Sequence, residues 1–354
     1  MNDAQLSIEG LVCPVPLPHK NQIVMGHGSG GMMSHDLIQR VFLSAFDNSM
    51  LSAGNDAASC MVNADIRLAI STDSHVVSPL IFPGGDIGRL AVCGTVNDVS
   101  MLGAQPLFIS AGFILEEGLD VTVLETVVAS MRQAASEAGV QIVAGDTKVV
   151  QKGKGDGLYI NTCGVGLIRE GLTIGGEHAQ AGDMVILSGP IGDHGIAVLA
   201  ARGELGFEAD ITSDVAPLNS LVQSMLDASK RIHVLRDPTR GGLATSLNEI
   251  ARQSGTSIVI DESSIPVRKA VSAACEILGF DPLYVANEGK LIAIAHPDDA
   301  QKIMQAMRSH PLGTDAVVIG LVEKSPAGRV LMKTRIGSTR VVDMLSGEML
   351  PRIC

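Results

Sequence analysis

Apolar residues recur along the chain at spacings that predict both helices and strands. Residues 34–46 carry apolar side chains at helical spacing behind Ser34, which we expect to cap the helix. Residues 87–102 are apolar nearly all round and predict a buried helix, yet they contain the polar pair Asn97 and Asp98, which needs partners. Further helices are predicted over residues 121–138 behind Asp120, 217–229 and 242–254.

Strands are predicted between these helices. The short apolar runs at 67–71 and 141–145 precede Asp73 and Asp146, so we expect each aspartate to follow the end of its strand. The other predicted strands cover residues 158–168, 184–189, 257–260 and 291–295. Helices and strands alternate imperfectly, which leaves α/β and α+β layered domains equally open.

The length of the chain indicates more than one domain. Its 354 residues exceed what a single core usually organises, so we expect two domains. A turn-rich segment at 178–183 predicts the boundary between them. The expected divisions are a proline-rich N-terminal extension over 1–25, an N-terminal domain over 26–178, a C-terminal domain over 179–343 and a mobile tail over 344–354.

Composition narrows the classes of function. Asp and Glu total 38 against 26 Lys and Arg, and the resulting net charge of −12 argues against a nucleic-acid partner. No apolar run approaches the roughly 20 residues that span a bilayer. Asp3 and Glu9 stand where a secretory signal would carry basic residues. We therefore expect no membrane partner and a cytoplasmic location.

Four aspartates lie in small-residue contexts at predicted strand or helix ends. They are Asp56, Asp73, Asp98 and Asp146. Mg²⁺ takes oxygen ligands, usually one or two carboxylates together with nucleotide phosphates. Each aspartate alone is more simply explained as a helix cap or an Asx turn. Together they favour a site for a metal and a nucleotide.

The motif GHGSGG, at residues 26–31, precedes the first predicted helix. Its backbone amides and the helix N-terminus would attract phosphate groups. It is not a Walker A loop, because no Gly-Lys-Ser/Thr follows, and it lacks the context of a dinucleotide-binding turn. A plain flexible turn explains the motif equally well. His27 within it is either a ligand contact or a solvent-exposed histidine.

Two charged residues are candidates for proton transfer. Lys148 either neutralises a phosphate, acts as a base or forms an ordinary salt bridge with Asp146. Glu288 lies at the edge of a predicted strand, where we expect Lys290 to be its partner. The other polar residues set among glycines, which we interpret as turn formers, are His194 and Asp237.

The six cysteines are far apart and lack a metal-binding spacing. Five are explained as small buried hydrophobic residues or idle thiols. Cys354 is the last residue, where packing gives it no reason to be. A thiol on a mobile tail can carry a group between sites, and cysteine is the strongest intrinsic nucleophile among the side chains.

Several motifs occur together here: HGSGG, FPGGDIG, GTVNDV, FILEEGL, GDTKVV, GDHG, TRGG, NEGKL and a terminal PRIC. In this combination the chain resembles the HypE family of hydrogenase maturation proteins, the carbamoyl dehydratases, from about Gly26 to Cys354. The wider superfamily includes aminoimidazole ribonucleotide synthetase and selenophosphate synthetase. The resemblance implies the two-domain α/β fold of that synthetase, the PurM-like fold, and a homodimer formed through the N-terminal domains.

The resemblance also implies chemistry on the tail. The carbamoyltransferase HypF would place a carbamoyl group on Cys354, and this chain would use ATP to dehydrate it to a thiocyanate. The cyanide would then pass to iron held by the HypC–HypD scaffold, as a ligand of the [NiFe] hydrogenase centre. A small-molecule kinase or synthetase, which would not need Cys354, and a carrier whose thiol only docks or ligates a metal remain as alternatives.

Residue roles follow from the same resemblance, position by position. Lys148 and Glu288 match proton-handling positions, with the role of base undivided between them. The implied Mg²⁺ ligands are Asp73, Asp98, Asp56 and, for a second ion, Asp237. The implied ATP-binding residues are His27, Gly28, Ser29, Gly30, Gly31, Asp73, Asp98, Asp146, Thr147 and Lys148.

Overall fold

The computed structural model describes residues 22–46, 48–203, 210–347 and 353, so Cys13 and Cys354 lie outside the described residues. The strands are β1 (Ala58–Met61), β2 (Arg67–His75), β3 (Ile81–Phe82), β4 (Gly85–Asp86), β5 (Ala104–Glu116), β6 (Gln141–Val150), β7 (Leu158–Ile168), β8 (Met184–Leu187), β9 (Ile232–Arg236), β10 (Ser257–Asp261), β11 (Ile292–Ala295), β12 (Val317–Glu323), β13 (Arg329–Lys333) and β14 (Thr339–Val342). The α-helices are α1 (Met32–Leu37), α2 (Ser44–Phe46), α3 (Ser49–Ser52), α4 (Ile87–Ser100), α5 (Val121–Ala138), α6 (Asp193–Ala201), α7 (Asn219–Ala228), α8 (Gly242–Ser254), α9 (Lys269–Leu278) and α10 (Pro297–Arg308). The segment Ile38–Leu43 is a π-helix that joins α1 to α2.

The N-terminal domain is built on a five-stranded sheet with the order β1-β2-β7-β5-β6. Neighbouring strands are antiparallel except β5 and β6, which run parallel because helix α5 connects them. Helix α4 packs against β2, β5 and β7, and its apolar side chains fill the core beneath the sheet. The C-terminal half of α4 therefore lies directly beside strand β2.

The C-terminal domain is built on a seven-stranded mixed sheet with the order β14-β13-β10-β12-β8-β11-β9. Both faces of the sheet are covered. In β11, Ile292 and Ile294 pack in the cluster that contains α8, whereas Ala293 and Ala295 pack in the cluster that contains α7 and α10. A strand that is buried on both faces has a continuous apolar sequence, as the segment 291–295 does.

Several predicted elements are confirmed. Helix α5 covers residues 121–138, and Asp120 caps it by accepting a hydrogen bond from the backbone N–H of Thr122. Helix α8 and strand β7 have the predicted bounds, and α4 is buried along nearly its whole length. For α5, helical periodicity coincides with a clear start signal at Asp120.

Two strand ends are predicted wrongly. Strand β2 runs through Asp73 to His75, because pairing with β7 continues as far as Ile160. Strand β6 likewise runs through Asp146, because its pairing with β5 continues. Both aspartates therefore lie inside strands, with side chains alternating between the two faces of the sheet.

Two local predictions near helix starts are also wrong. Helix α1 begins at Met32 after Gly31, so Ser34 lies inside the helix, where its hydroxyl accepts a hydrogen bond from the backbone N–H of Gly30. His194 is not in a turn but in the first turn of α6. The apolar face predicted over 34–46 is formed, yet it is exposed in the single chain.

Asn97 joins the two domains. Its side-chain N–H groups donate to the backbone carbonyls of Ala216 at 3.1 Å and Glu288 at 3.3 Å. Its Oδ1 accepts from the backbone N–H of Leu218 at 2.8 Å. The polar pair in the apolar helix α4 thus has partners, and for Asn97 they all lie in the C-terminal domain.

Membrane insertion finds no support in the described helices. None of them is both long enough and apolar enough to cross a bilayer. Of the predicted tail, the structure describes residues 344–347 and 353, and both Met344 and Ile353 are buried.

Candidate active site

The glycine-rich segment forms a short 3-10 turn, Met25–Gly28, followed by a tight passage into α1. Gly30 has a φ of +77°, and a Cβ there would lie 2.9 Å from the carbonyl oxygen of Arg240. The segment therefore packs against the loop that follows β9 in the C-terminal domain. Nδ1 of His27 accepts a hydrogen bond of 3.0 Å from the backbone N–H of Val24, which closes the turn.

Alternate residues of β2 point toward helix α4. Ser71 donates a hydrogen bond of 2.6 Å to Oδ2 of Asp98. Two residues further on, Asp73 places Oδ2 3.6 Å from Nε2 of His75. Gly94 has no side chain, which leaves room for the side chains of Asp73 and His75. A Cβ at Gly94 would lie 3.1 Å from the His75 ring. These side chains share one face of the sheet because residues two apart in a strand do so.

The C-terminal domain contributes a second group of charges. Asp237 follows β9 directly, is 5% exposed and has no hydrogen-bond partner for its Oδ2 among the described residues. The neighbouring Arg236 is buried and donates to Oδ1 of Asp56 at 2.9 Å. Burial raises the pKa of Asp56 to about 6, against the opposing effect of Arg236. The carboxylate of Asp56 is therefore already paired with the guanidinium group of Arg236.

Glu288 is buried and is not paired with Lys290, contrary to the sequence-based expectation. The Nζ of Lys290 instead donates to Oδ2 of Asp214 at 3.2 Å. Asp214 also accepts from the backbone N–H groups of Glu288 and Gly289. The carboxylate Oε1 of Glu288 has no hydrogen-bond partner within the described part of the chain.

Five carboxylates converge where the domains meet, and we call them the acidic cluster: Asp56, Asp73, Asp98, Asp237 and Glu288. Burial, and then the charges of Asp237 and Asp73, raise the pKa of Asp98 well above its ordinary value. Burial and these same two charges likewise raise the pKa of Glu288. The cluster is therefore strongly repulsive when ionised, and a bound cation would relieve that repulsion.

The acidic cluster fits Mg²⁺ bound together with a nucleotide. Buried carboxylate oxygens of Asp56, Asp237 and Glu288 lack hydrogen-bond donors in the described structure, which leaves them available to a cation. No three His, Cys, Asp or Glu side chains of the described residues form a ready-made metal site. Mg²⁺ does not require three protein ligands in place, because it keeps waters and takes phosphate oxygens beside one or two carboxylates.

Lys148 and Asp146 lie in a different part of the N-terminal domain. Both side chains are 70% exposed on β6, and Nζ of Lys148 lies 2.7 Å from Oδ2 of Asp146. The hydrogen bond from Lys148 lowers the pKa of Asp146. The simple salt bridge is thus the arrangement present in the single chain. Thr147 follows Asp146 in the strand and donates its backbone N–H to Oδ1 of that residue.

A cavity of about 670 Å³ lies between this strand and the end of β2. Its lining includes Lys148 and Asp146 on one side and Ser74, His75 and Asn161 on the other. Asn161 donates to the backbone carbonyl of Asp73 at 2.9 Å. Lys148 therefore shares a cavity with the strand that carries Asp73, while the buried Glu288 is not part of the cavity wall.

His75 and Ser71 are candidate site residues that the sequence analysis missed. His75 is buried, its pKa is lowered by burial, and its Nδ1 has no partner among the described residues. The spacing of Ser71, Asp73 and His75 by two residues is the signal that identifies them, once the strand is known to continue past Asp73.

Comparisons with known proteins agree with this architecture. Residues 54–168 match the family "AIR synthase related protein, N-terminal domain", and residues 180–333 match "AIR synthase related protein, C-terminal domain". The carbamoyl dehydratase HypE of Cupriavidus necator is 56% identical, over 94% of this chain and 95% of that protein.

Two solved structures share the fold at high identity. A crystal structure of hydrogenase maturation protein HypE in complex with ATP has a TM-score of 0.79 and 51% identity, covering 94% of this chain and all of that chain. HypE in a HypE–HypF complex has a TM-score of 0.83 and 50% identity, covering 87% of this chain and 99% of that chain. The expected two-domain PurM-like α/β fold is confirmed, and the chain belongs to the HypE family of carbamoyl dehydratases.

Proposed function

We propose that this chain uses ATP to dehydrate a carbamoyl group carried on the sulfur of Cys354, as a step in hydrogenase maturation. The observation that carries the proposal is the acidic cluster, in which single buried oxygens of Asp56, Asp237 and Glu288 have no hydrogen-bond donor among the described residues. The glycine-rich segment packs against Arg240, three residues after Asp237. The reaction itself is proposed from the chain's membership of the family, whose tail motif the chain carries.

The reaction explains the need for ATP. The oxygen of an amide is a poor leaving group, and transfer of the γ-phosphoryl group onto it allows it to depart as phosphate. The carbon–oxygen bond then breaks, the nitrogen gives up two protons, and a carbon–nitrogen triple bond forms. The products are a thiocyanate on the cysteine sulfur, ADP and phosphate. The thiocyanate would supply the cyanide ligands of the [NiFe] iron.

Mg²⁺ would be held by Asp73, Asp98 and Asp237, with Asp56 as a further ligand through its free oxygen. Bound there, it would neutralise the phosphate charges of ATP. The backbone amides of residues 26–31 would cover the phosphates, and His27 stabilises the turn that presents them.

The two protons require a base close to the tail, and we retain both candidates. Glu288 is buried, burial raises its pKa well above the ordinary value, and its Oε1 has no hydrogen-bond partner among the described residues. Lys148 is exposed in the single chain, and Asp146 holds its ammonium group by a salt bridge. Asp146 lines the same cavity as Lys148, and Thr147 lies between them in the strand.

The proposed homodimer would change the surroundings of Lys148. Strand β6 is an edge strand, and it exposes the apolar side chains of Ile142, Val143 and Val149. A partner covering this edge would bury them together with Lys148 and Asp146. Analytical ultracentrifugation of the parent chain and of Val143→Lys tests this interface, and a parent chain that sediments as a monomer contradicts it.

The proposed protein partners are HypF, which would carbamoylate Cys354, and the HypC–HypD scaffold, which would accept the cyanide. The solved HypE–HypF complex supports the first of these contacts by similarity. The cytoplasmic location expected from the sequence stays a prediction.

The mass of the intact C-terminal peptide tests the proposed function. After incubation with a carbamoyl donor and HypF, we expect one carbamoyl group on Cys354, and after addition of ATP and Mg²⁺ we expect the loss of one water. Cys354→Ala should abolish both changes without altering ATP affinity, whereas the matched variant Cys60→Ala should show both. A carbamoylated tail that persists with saturating ATP contradicts the proposal.

A further inference from the structure

Ile353, the residue before Cys354, is bound between the two domains. Its backbone forms an isolated antiparallel bridge with Val77. Its side chain is 7% exposed and lies in the apolar cluster that also contains Phe82. Val77 and Phe82 belong to the N-terminal domain, so the end of the chain is packed against the domain that carries Asp73 and Asp98.

The backbone of Ile353 is also held from the other domain. Nε2 of His194, in helix α6, lies 2.6 Å from the carbonyl oxygen of Ile353. Nδ1 of the same ring lies 2.8 Å from the hydroxyl of Ser213. That hydroxyl accepts a hydrogen bond of 3.1 Å from the backbone N–H of Val215.

The direction of this hydrogen-bond chain follows from its carbonyl end. A carbonyl only accepts, so Nε2–H donates to Ile353, and in the neutral ring Nδ1 then carries no hydrogen and accepts from the Ser213 hydroxyl. A neutral imidazole provides one donor and one acceptor in this way. Burial lowers the pKa of His194, which favours the neutral ring. Phe82 stands edge-on to the ring at 5.5 Å and restrains its orientation.

The same loop that orients His194 also holds Glu288. Ser213 is followed by Asp214, whose carboxylate accepts from the backbone N–H groups of Glu288 and Gly289. A Cβ at Gly289 would lie 1.8 Å from the carbonyl oxygen of Asp214, so the two segments are in direct contact. The histidine that binds Ile353 and a candidate base are therefore positioned by neighbouring residues.

We propose that His194 is the docking residue for the chain's own C-terminal end: it binds the carbonyl of Ile353 through Nε2–H, while the cluster around Val77 and Phe82 receives the isoleucine side chain. The proposal rests on the proposed function, since it treats Ile353 as part of the substrate. The carbonyl carbon of Ile353 is bonded to the amide nitrogen of Cys354, so docking restrains where the last residue begins. The site selects a tail with an apolar residue before the cysteine.

Release of Cys354 by a carboxypeptidase measures docking without any catalytic step. The enzyme must draw the terminal residues away from the protein, so docking slows the release. Removing the hydrogen bond in His194→Leu should accelerate release about tenfold, the effect of losing one buried hydrogen bond. Ile353→Ser, which alters only the end of the chain, should do the same, and His194→Gln, which keeps an N–H donor, should restore part of the protection.

The matched control is His310→Leu. His310 lies in the same domain and also contacts a serine, with Nε2 3.1 Å from the hydroxyl of Ser220. Cys354 should be released from His310→Leu at the same rate as from the parent. Parent-like release from both His194→Leu and Ile353→Ser would overturn the docking role, as would equal acceleration in His310→Leu.

Loss of water from the carbamoylated tail separates this inference from the proposed function. With saturating ATP, we expect His194→Leu to slow the loss about tenfold, by a lower docked fraction, while ATP affinity in calorimetry stays at the parent value. A parent chain that never loses water would contradict the proposed function, and the carboxypeptidase comparison would still decide the docking. A parent chain that loses water at the same rate as His194→Leu and Ile353→Ser would overturn the docking alone.

Discussion

The hydroxyl of Ser71 lies 2.6 Å from Oδ2 of Asp98 and joins strand β2 to helix α4. This contact orients a carboxylate whose pKa is raised by burial and by the neighbouring aspartates. A cation bound beside it would offset the cost of ionising this carboxyl. The consequences of removing that charge differ with and without Mg²⁺.

We expect Asp98→Asn to weaken ATP binding in the presence of Mg²⁺ by about tenfold or more, because a ligand charge is lost. With a chelator present, the same variant should bind ATP as well as the parent or better, because a negative charge has left the phosphate site. Titration calorimetry under the two conditions gives both values. Asp65→Asn, at an exposed turn, is the control, and an unchanged Mg²⁺-dependent affinity would remove Asp98 from the site.

Lys148→Met tests the role of base. At saturating ATP, we expect loss of water from the carbamoylated tail to slow by about 100-fold, within the usual range for a missing general base. Mass spectrometry of the tail over time gives the rate. Lys154→Met, on the exposed loop after β6, should behave as the parent. If the slow rate of Lys148→Met appears only at limiting ATP and the rate equals that of the parent at saturating ATP, the lysine binds phosphate and is not the base.

Asn97→Ala should loosen the contact between the domains. The substitution removes three buried hydrogen bonds and leaves the carbonyl of Ala216 and the N–H of Leu218 without the side-chain partner, so we expect the free energy of unfolding to fall by about 2–4 kcal/mol. Denaturation in urea measures the loss. Asn63→Ala, at an exposed turn, should cost about 1 kcal/mol or less. A loss of that small size at Asn97 would show that the domains are held together elsewhere.

Asp193 gives the protein a pH dependence of defined sign. It is buried beside His194, and burial raises its pKa from 3.8 to about 6. Between these pH values the folded chain keeps a proton that the unfolded chain has released, so stability from this group is lost as the pH rises through about 6. Asp193→Asn should therefore gain stability relative to the parent as the pH rises from 3.8 to about 6.

Thermal unfolding at several pH values measures this difference. Asp65→Asn should keep the pH profile of the parent. A constant difference between Asp193→Asn and the parent across the range would show that the carboxyl titrates normally.

The predictions that succeeded rest on local signals. Helix α5 has a cap at Asp120, and Gly139, with a φ of +69°, ends it. Strands β2 and β6 were predicted too short, because pairing with a neighbouring strand outweighs the polarity of Asp73 and Asp146. Sequence polarity alone carries no information about where a partner strand ends.

Side-chain pairing was predicted less well, since it depends on segments far apart in the chain. Lys290 lies two residues from Glu288 but bonds Asp214, which reaches it from a different loop. His194 was interpreted as a turn former, although it binds a residue 159 positions later. Of the four aspartates expected to converge from residue type and context, the structure brings Asp56, Asp73 and Asp98 together, whereas Asp146 lies apart on β6. Asp237, which only the family resemblance implied as a ligand, takes the fourth place.

Because Ile353 docks within the molecule that is proposed to act on it, the encounter between enzyme and substrate is unimolecular. Dilution does not change the occupancy of such a site, which depends only on the equilibrium between the bound and released tail. A free peptide of the same sequence would have to reach a high concentration to compete. Each further round of the proposed reaction then requires that a partner protein reload the last residue of the same molecule.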